Sequence, residues 1–141
     1  MNFAGPAVVV VLGVIAALHF YWGCGGTWPA RSGAHLERLA VGTRKGRMPG
    51  FLPSVAVALL LGIAGYVVAA ASQLAHRLGV PDVLWLLANI GVAGVFLLRG
   101  AATYAPGVFD YARGTPFHSL NRRYYGPLCL LLAAGVAVVL L

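Results

Sequence analysis

Residues 83–105 read VLWLLANIGVAGVFLLRGAATYA, twenty-three positions carrying a single charge, Arg99. At 1.5 Å per residue a helix of that length reaches ~35 Å, enough to cross the ~30 Å hydrocarbon core of a bilayer. Bilayer cores admit backbone only as helix or closed barrel, since every amide needs a partner there. The stretch has no period-two alternation, so it reads as a transmembrane helix.

Three further stretches read the same way: 5–25, 51–71 and 125–141. The breaks between them have local causes. Gly23, Gly25, Gly26 and Pro29 end the first span. Pro53 falls in the first turn of the second, where a proline costs no hydrogen bond. Gly79 and Pro81 make the turn before the third, with Asp82 as the expected N-cap. Pro106 and Gly107 close the third, and Pro127 opens the fourth. The expected fold is therefore all-α: residues 1–141 as one four-transmembrane-helix bundle. The apolar run at the N-terminus has no basic residue ahead of it and is read as an uncleaved first span.

Composition agrees. Sixty per cent of the 141 residues are hydrophobic and 9% are charged, against roughly 25% charged in soluble domains. The net charge of +7 lies between the apolar runs rather than along an aromatic-studded basic face. It signals topology and headgroup contact, and nucleic acid is not an expected partner. Arg31, Arg38, Arg44, Lys45 and Arg47 occupy the first loop, Arg113, Arg122 and Arg123 the third, and only Arg77 the second. The positive-inside rule then puts loops 26–50 and 106–124 in the cytoplasm and both termini on the non-cytoplasmic side of a cell membrane. Trp22, Trp28, Tyr104, Tyr124 and Tyr125 fall at the inner interface as an aromatic belt, and Trp85 marks the outer one. Ser32–Val41 is read either as a solvated loop or as a short interfacial helix with Leu36 and Leu39 toward lipid.

The expected partners are membrane lipids. Small-residue pairs (Gly13/Ala17, Ala58/Gly62, Gly65/Ala69, Ala133/Ala137) offer faces for helix packing or for homo- or hetero-oligomers.

A charge inside a span needs a reason. Arg99 either snorkels toward the headgroups or faces the bundle interior, and the shared face of Asn89, Val92, Phe96, Arg99 and Thr103 on the third helix favours the interior. His19 lies at similar depth on the first span with Trp22 one turn on, and Tyr125 and Cys129 begin the fourth. With Asp110 on the adjacent loop as the nearest carboxylate, the candidate ligand-binding set is His19, Trp22, Arg99, Thr103, Asp110, Tyr125 and Cys129. The pattern implies no cofactor and no metal: a lone His19 offers no axial pair for haem, and Cys24 and Cys129 form neither a CxxC nor a zinc set. No span contains the carboxylate that proton-coupled export requires.

Three groups of residues together resemble a family: His19-Phe20-Tyr21-Trp22 with Gly25-Gly26-x-Trp28-Pro29; Phe96-Leu97-Leu98-Arg99-Gly100; and Gly114-Thr115-x-Phe117-x-x-Leu120 followed by Arg123-Tyr124-Tyr125-Gly126-Pro127-Leu128-Cys129. The chain is similar over its whole length to small bacterial four-helix integral membrane proteins catalogued only as a domain of unknown function. The resemblance implies a four-pass inner-membrane protein without an assigned activity. It marks His19, Trp22, Arg99, Tyr125 and Cys129 as the pattern-bearing positions. Members of that group often carry an acid shortly after the arginine, where this chain has Thr103 and Tyr104, and often Ser where it has Gly126. The leading functional expectation is binding of an anionic lipid or small amphipathic ligand. The alternatives are a small intramembrane enzyme using His19 and Arg99, or an accessory subunit of a larger complex.

Overall fold

The structure is a computed structural model and describes residues 3–141. Six α-helices follow one another: α1 (Ala4–Gly23), α2 (Gly33–Ala40), α3 (Phe51–Ala71), α4 (Asp82–Ala102), α5 (Pro116–Leu120) and α6 (Gly126–Val139). A π turn over Asn121–Tyr125 joins α5 to α6, and a 3-10 turn covers Asp110–Ala112. There is no strand among the described residues. Four helical runs are long and apolar enough to cross a membrane: α1, α3, α4 and the continuous Pro116–Val139.

The fourth run differs from its expected start near Tyr125. Thr115 takes an extended N-cap conformation and Pro116 is the first helical residue, the arrangement in which proline's fixed φ and missing amide favour helix initiation. Pro127 then lies inside the run. It cannot donate to the carbonyl of Arg123, and its ring crowds that carbonyl, so the ladder slips to i→i+5 over Asn121–Tyr125. The consequence is that Asn121, read as loop, is helical and buried.

α1 packs along α3, and α4 along α6. The two hairpins meet through α1 against α6 and α3 against α4, leaving α1 and α4 on opposite corners. At the end carrying the N-terminus of α1 the hairpins are tightly joined. Val8, Leu12, Val68, Leu132 and Val136 form the main buried cluster, and a Cβ built on Gly135 would come within 2.5 Å of Val8 Cγ2. Val67, Ala70 and Trp85 form a second cluster beside it. Trp85, in the first turn of α4, is buried with its ring 5.9 Å from that of Tyr66. Asp82 is the first residue of α4 rather than its cap, where its charge suits the helix dipole and meets Arg77 Nη1 at 3.1 Å.

The outward faces are apolar. Leu52, Leu60, Leu98 and Leu131 are each more than 60% exposed. A surface of this kind is untenable in water and natural against acyl chains. Gly13, Ala17 and Gly62 lie on these exposed faces. The close helix approaches use other glycines, Gly5, Gly100, Gly126 and Gly135.

α2 is a true helix whose N-cap Ser32 accepts from the His35 amide at 3.2 Å. Leu36 points into the protein rather than toward lipid. Its neighbour Glu37 is buried as well and organises the following loop: the Thr43 hydroxyl and the Lys45 amide, at 2.8 Å, both donate to Oε1. The Thr43 hydrogen bond above all, with the amides of Lys45, Gly46 and Arg47, outweighs desolvation and holds the Glu37 carboxyl below its usual pKa.

Candidate functional site

At the opposite end the hairpins splay around a cavity of about 620 Å³. α1 contributes Ile15, Leu18, His19 and Trp22, and α3 contributes Pro53, Ser54, Val57 and Leu61. Phe96 and Arg99 come from α4, and Tyr125, Leu128, Cys129 and Leu132 from the last helical run. The remaining wall is Ala40, Val41, Met48 and Pro49 from the α2 segment, with Phe117 of α5. The volume and mainly apolar lining with a few polar groups are those of a small-molecule site.

The two loop regions latch over this end. Tyr125 Oη donates to Leu39 O at 3.2 Å, Tyr111 Oη to Val41 O at 3.1 Å, and Arg44 Nη2 to Arg113 O at 3.0 Å. Gly42 sits in the crossing with φ +82°. A Cβ there would meet Phe117 Cδ1 at 2.6 Å and Ala112 Cβ at 2.7 Å, so both the conformation and the space call for glycine.

Arg99 faces the bundle interior. Nη1 donates to Thr103 Oγ1 at 2.9 Å and Nη2 to Asn121 Oδ1 at 2.8 Å. Its Cζ lies 4.7 Å from the centroid of the Phe109 ring, a cation–π contact. All three partners are neutral. Among the described residues no carboxylate lies within ion-pair distance of Arg99. Asp110, the expected counter-ion, pairs with Arg113 at 2.9 Å on the exposed loop and lies outside the cavity lining. The i,i+3 spacing inside one short turn brings those two together, while the neighbouring Phe109 is the residue that turns toward Arg99.

His19 Nδ1 lies 2.8 Å from Ile15 O. A carbonyl only accepts, so Nδ1 carries the proton and, in the neutral ring, Nε2 is left as an acceptor. The Trp22 ring packs 5.1 Å from the His19 ring and is itself fixed by Nε1 donating to Trp28 O at 2.8 Å. Thr103, buried, holds Arg99 without lining the cavity.

Of the seven residues singled out from the sequence, His19, Trp22, Arg99, Tyr125 and Cys129 line the cavity, Thr103 stands behind Arg99, and Asp110 is elsewhere. Sequence reasoning passed over Asn121, Phe109, Phe117 and Met48. For Asn121 a signal existed in Thr115-Pro116, an N-cap and N1 pair that starts a helix early enough to turn Asn121 inward. Met48, on the loop after α2, and Phe117, on α5, reach the cavity through long-range packing. Among the described residues no three His, Cys, Asp or Glu side chains cluster so as to hold a metal.

Four apolar helices around an internal polar corner define a small, all-α, multi-pass type of membrane protein. The chain belongs to the family described as "Protein of unknown function (DUF3995)", which matches residues 12–136. No curated protein and no solved structure matched it.

Proposed function

We propose that this chain is a four-pass cell-membrane protein that binds an anionic lipid or small amphipathic ligand in the cavity between its hairpins. Both termini would face the non-cytoplasmic side, with loops 26–50 and 106–124 in the cytoplasm. One observation carries the binding reading: Arg99, a cation held only by neutral partners, lines an apolar cavity of about 620 Å³. A charge withdrawn from water is costly without a counter-ion. An anionic group on a bound molecule supplies one, and the apolar walls take the rest. The distribution of basic residues supports the orientation.

Native mass spectrometry from gentle detergent tests this. Wild type should retain an anionic amphiphile that Arg99→Gln loses while remaining folded. Equal retention by both proteins would refute the reading. Single cysteines placed at Arg47 and Arg113 in a cysteine-free background should resist an impermeant maleimide added to intact cells. Ready labelling would reverse the orientation.

A second reading follows from His19. With its Nδ1 proton committed to Ile15 O, Nε2 is available as a general base in the same cavity as a cation able to stabilise developing negative charge. His19→Ala leaving cellular metabolites unchanged would remove that reading.

A further inference from the structure

The shape of the cavity restricts its occupant. Its helical walls run from Ile15 to Trp22 on α1 and from Tyr125 to Leu132 on the last helical run, each about 10 Å along the bundle axis. Ala40, Val41, Met48, Pro49 and Phe117 continue the wall beyond the helices, and the whole encloses about 620 Å³. Carbon atoms in contact sit ~3.5–4 Å apart, so one alkyl chain occupies a cross-section on the order of 15–20 Å². The space is wider than one such chain. A single straight chain would leave most of it empty, and unfilled apolar volume forfeits dispersion contacts.

The polar groups are also arranged for width. Arg99 belongs to α4 and His19 to α1, on opposite corners of the bundle. Arg99 supplies only N–H donors, and His19 Nε2 supplies an acceptor. Several parallel acyl chains would bury that Nε2 against hydrocarbon without a partner, which is unfavourable. A ring bearing oxygens on opposite edges satisfies both walls. The remaining lining includes Trp22, Phe96, Phe117 and Tyr125, flat groups suited to a ring face.

We infer that the cavity takes the ring of a cyclic amphiphile, with an anionic oxygen on one edge toward Arg99 and a hydroxyl on the opposite edge toward His19. This rests on the amphipathic-ligand reading above. The class is that of alkylated hydroxyaryl acids, a planar ring with carboxylate and hydroxyl on opposite edges and an apolar chain.

The test titrates purified protein in detergent with four probes, read by native mass spectrometry: 3-octyl-4-hydroxybenzoate, 3-octylbenzoate, palmitate and dioleoyl phosphatidylglycerol. The hydroxybenzoate should bind about tenfold more tightly than the benzoate lacking the hydroxyl, and more tightly than either chain lipid. His19→Phe should erase the difference between the two aryl probes, and Arg99→Gln should weaken both. Palmitate or the phospholipid binding as tightly as the hydroxybenzoate, still dependent on Arg99, would overturn the ring assignment and leave the ligand reading standing. Binding of no probe in an Arg99-dependent way would overturn both. Should His19→Phe fail to fold, the four-probe ranking on wild type decides alone.

Discussion

Arg99 on α4 donates to Asn121 Oδ1 at 2.8 Å, bridging twenty-two positions of sequence to a residue in the π turn before α6. The bond ties the two helices of one hairpin together. It also fixes the guanidinium at the cavity wall while leaving its charge unneutralised.

Asn121→Leu should therefore destabilise. Hydrogen bonds to charged groups contribute about 1.5–3 kcal/mol, and the remaining partner, Thr103, cannot replace the lost acceptor. A lower unfolding temperature in detergent checks this. Arg99→Lys should fall similarly, because an ammonium cannot reach Thr103 and Asn121 together and stack on Phe109.

Gly126→Ala should loosen the same corner. A Cβ there would lie 2.8 Å from Thr103 Cγ2 and 3.0 Å from its Cβ. Thr103 Cβ is fixed by the backbone, and turning Cγ2 away would carry Oγ1 off Arg99. Overpacking of this kind costs about 1–3 kcal/mol, read as a lowered melting temperature and weaker retention of anionic amphiphile.

The loop after α2 should be acid-sensitive. Glu37 has its folded pKa below the unfolded value, whose reference is 4.5. Its stabilisation is thus fully present above that value and is lost as pH falls through the folded pKa. Hydrogen exchange at the Lys45 amide, corrected for the intrinsic pH effect, should lose protection over that interval. Glu37→Gln, whose amide oxygen still accepts but does not titrate, should show no such transition.

The two cysteines should react differently. Cys24 is exposed, whereas Cys129 is half-buried on the cavity wall. Maleimide should modify Cys24 quickly whatever is bound. Cys129 should react slowly, and more slowly still when an amphiphile occupies the cavity. Equal rates at the two thiols would place Cys129 outside a ligand's reach.

The four apolar helical runs are legible in the order of residues, because ~20 residues without charge have no other stable form in a bilayer. So is the shared face of Asn89, Phe96, Arg99 and Thr103 on α4, which follows from 3.6-residue periodicity. That this face turns inward, and what it meets there, depends on how the helices pack. Asp110 is close to Arg99 in sequence but closer still to Arg113, and a local ion pair forms without bending the chain. Asn121 reaches Arg99 because Pro116 starts a helix early and Pro127 shifts its register by a π turn. The hairpins close on each other at Val8 and Gly135, and at the other end Met48 of the loop after α2 and Phe117 of α5 complete the cavity wall. Helical periodicity is a local property of the chain. The gap between two hairpins depends on contacts among residues a hundred positions apart, and no local pattern encodes it.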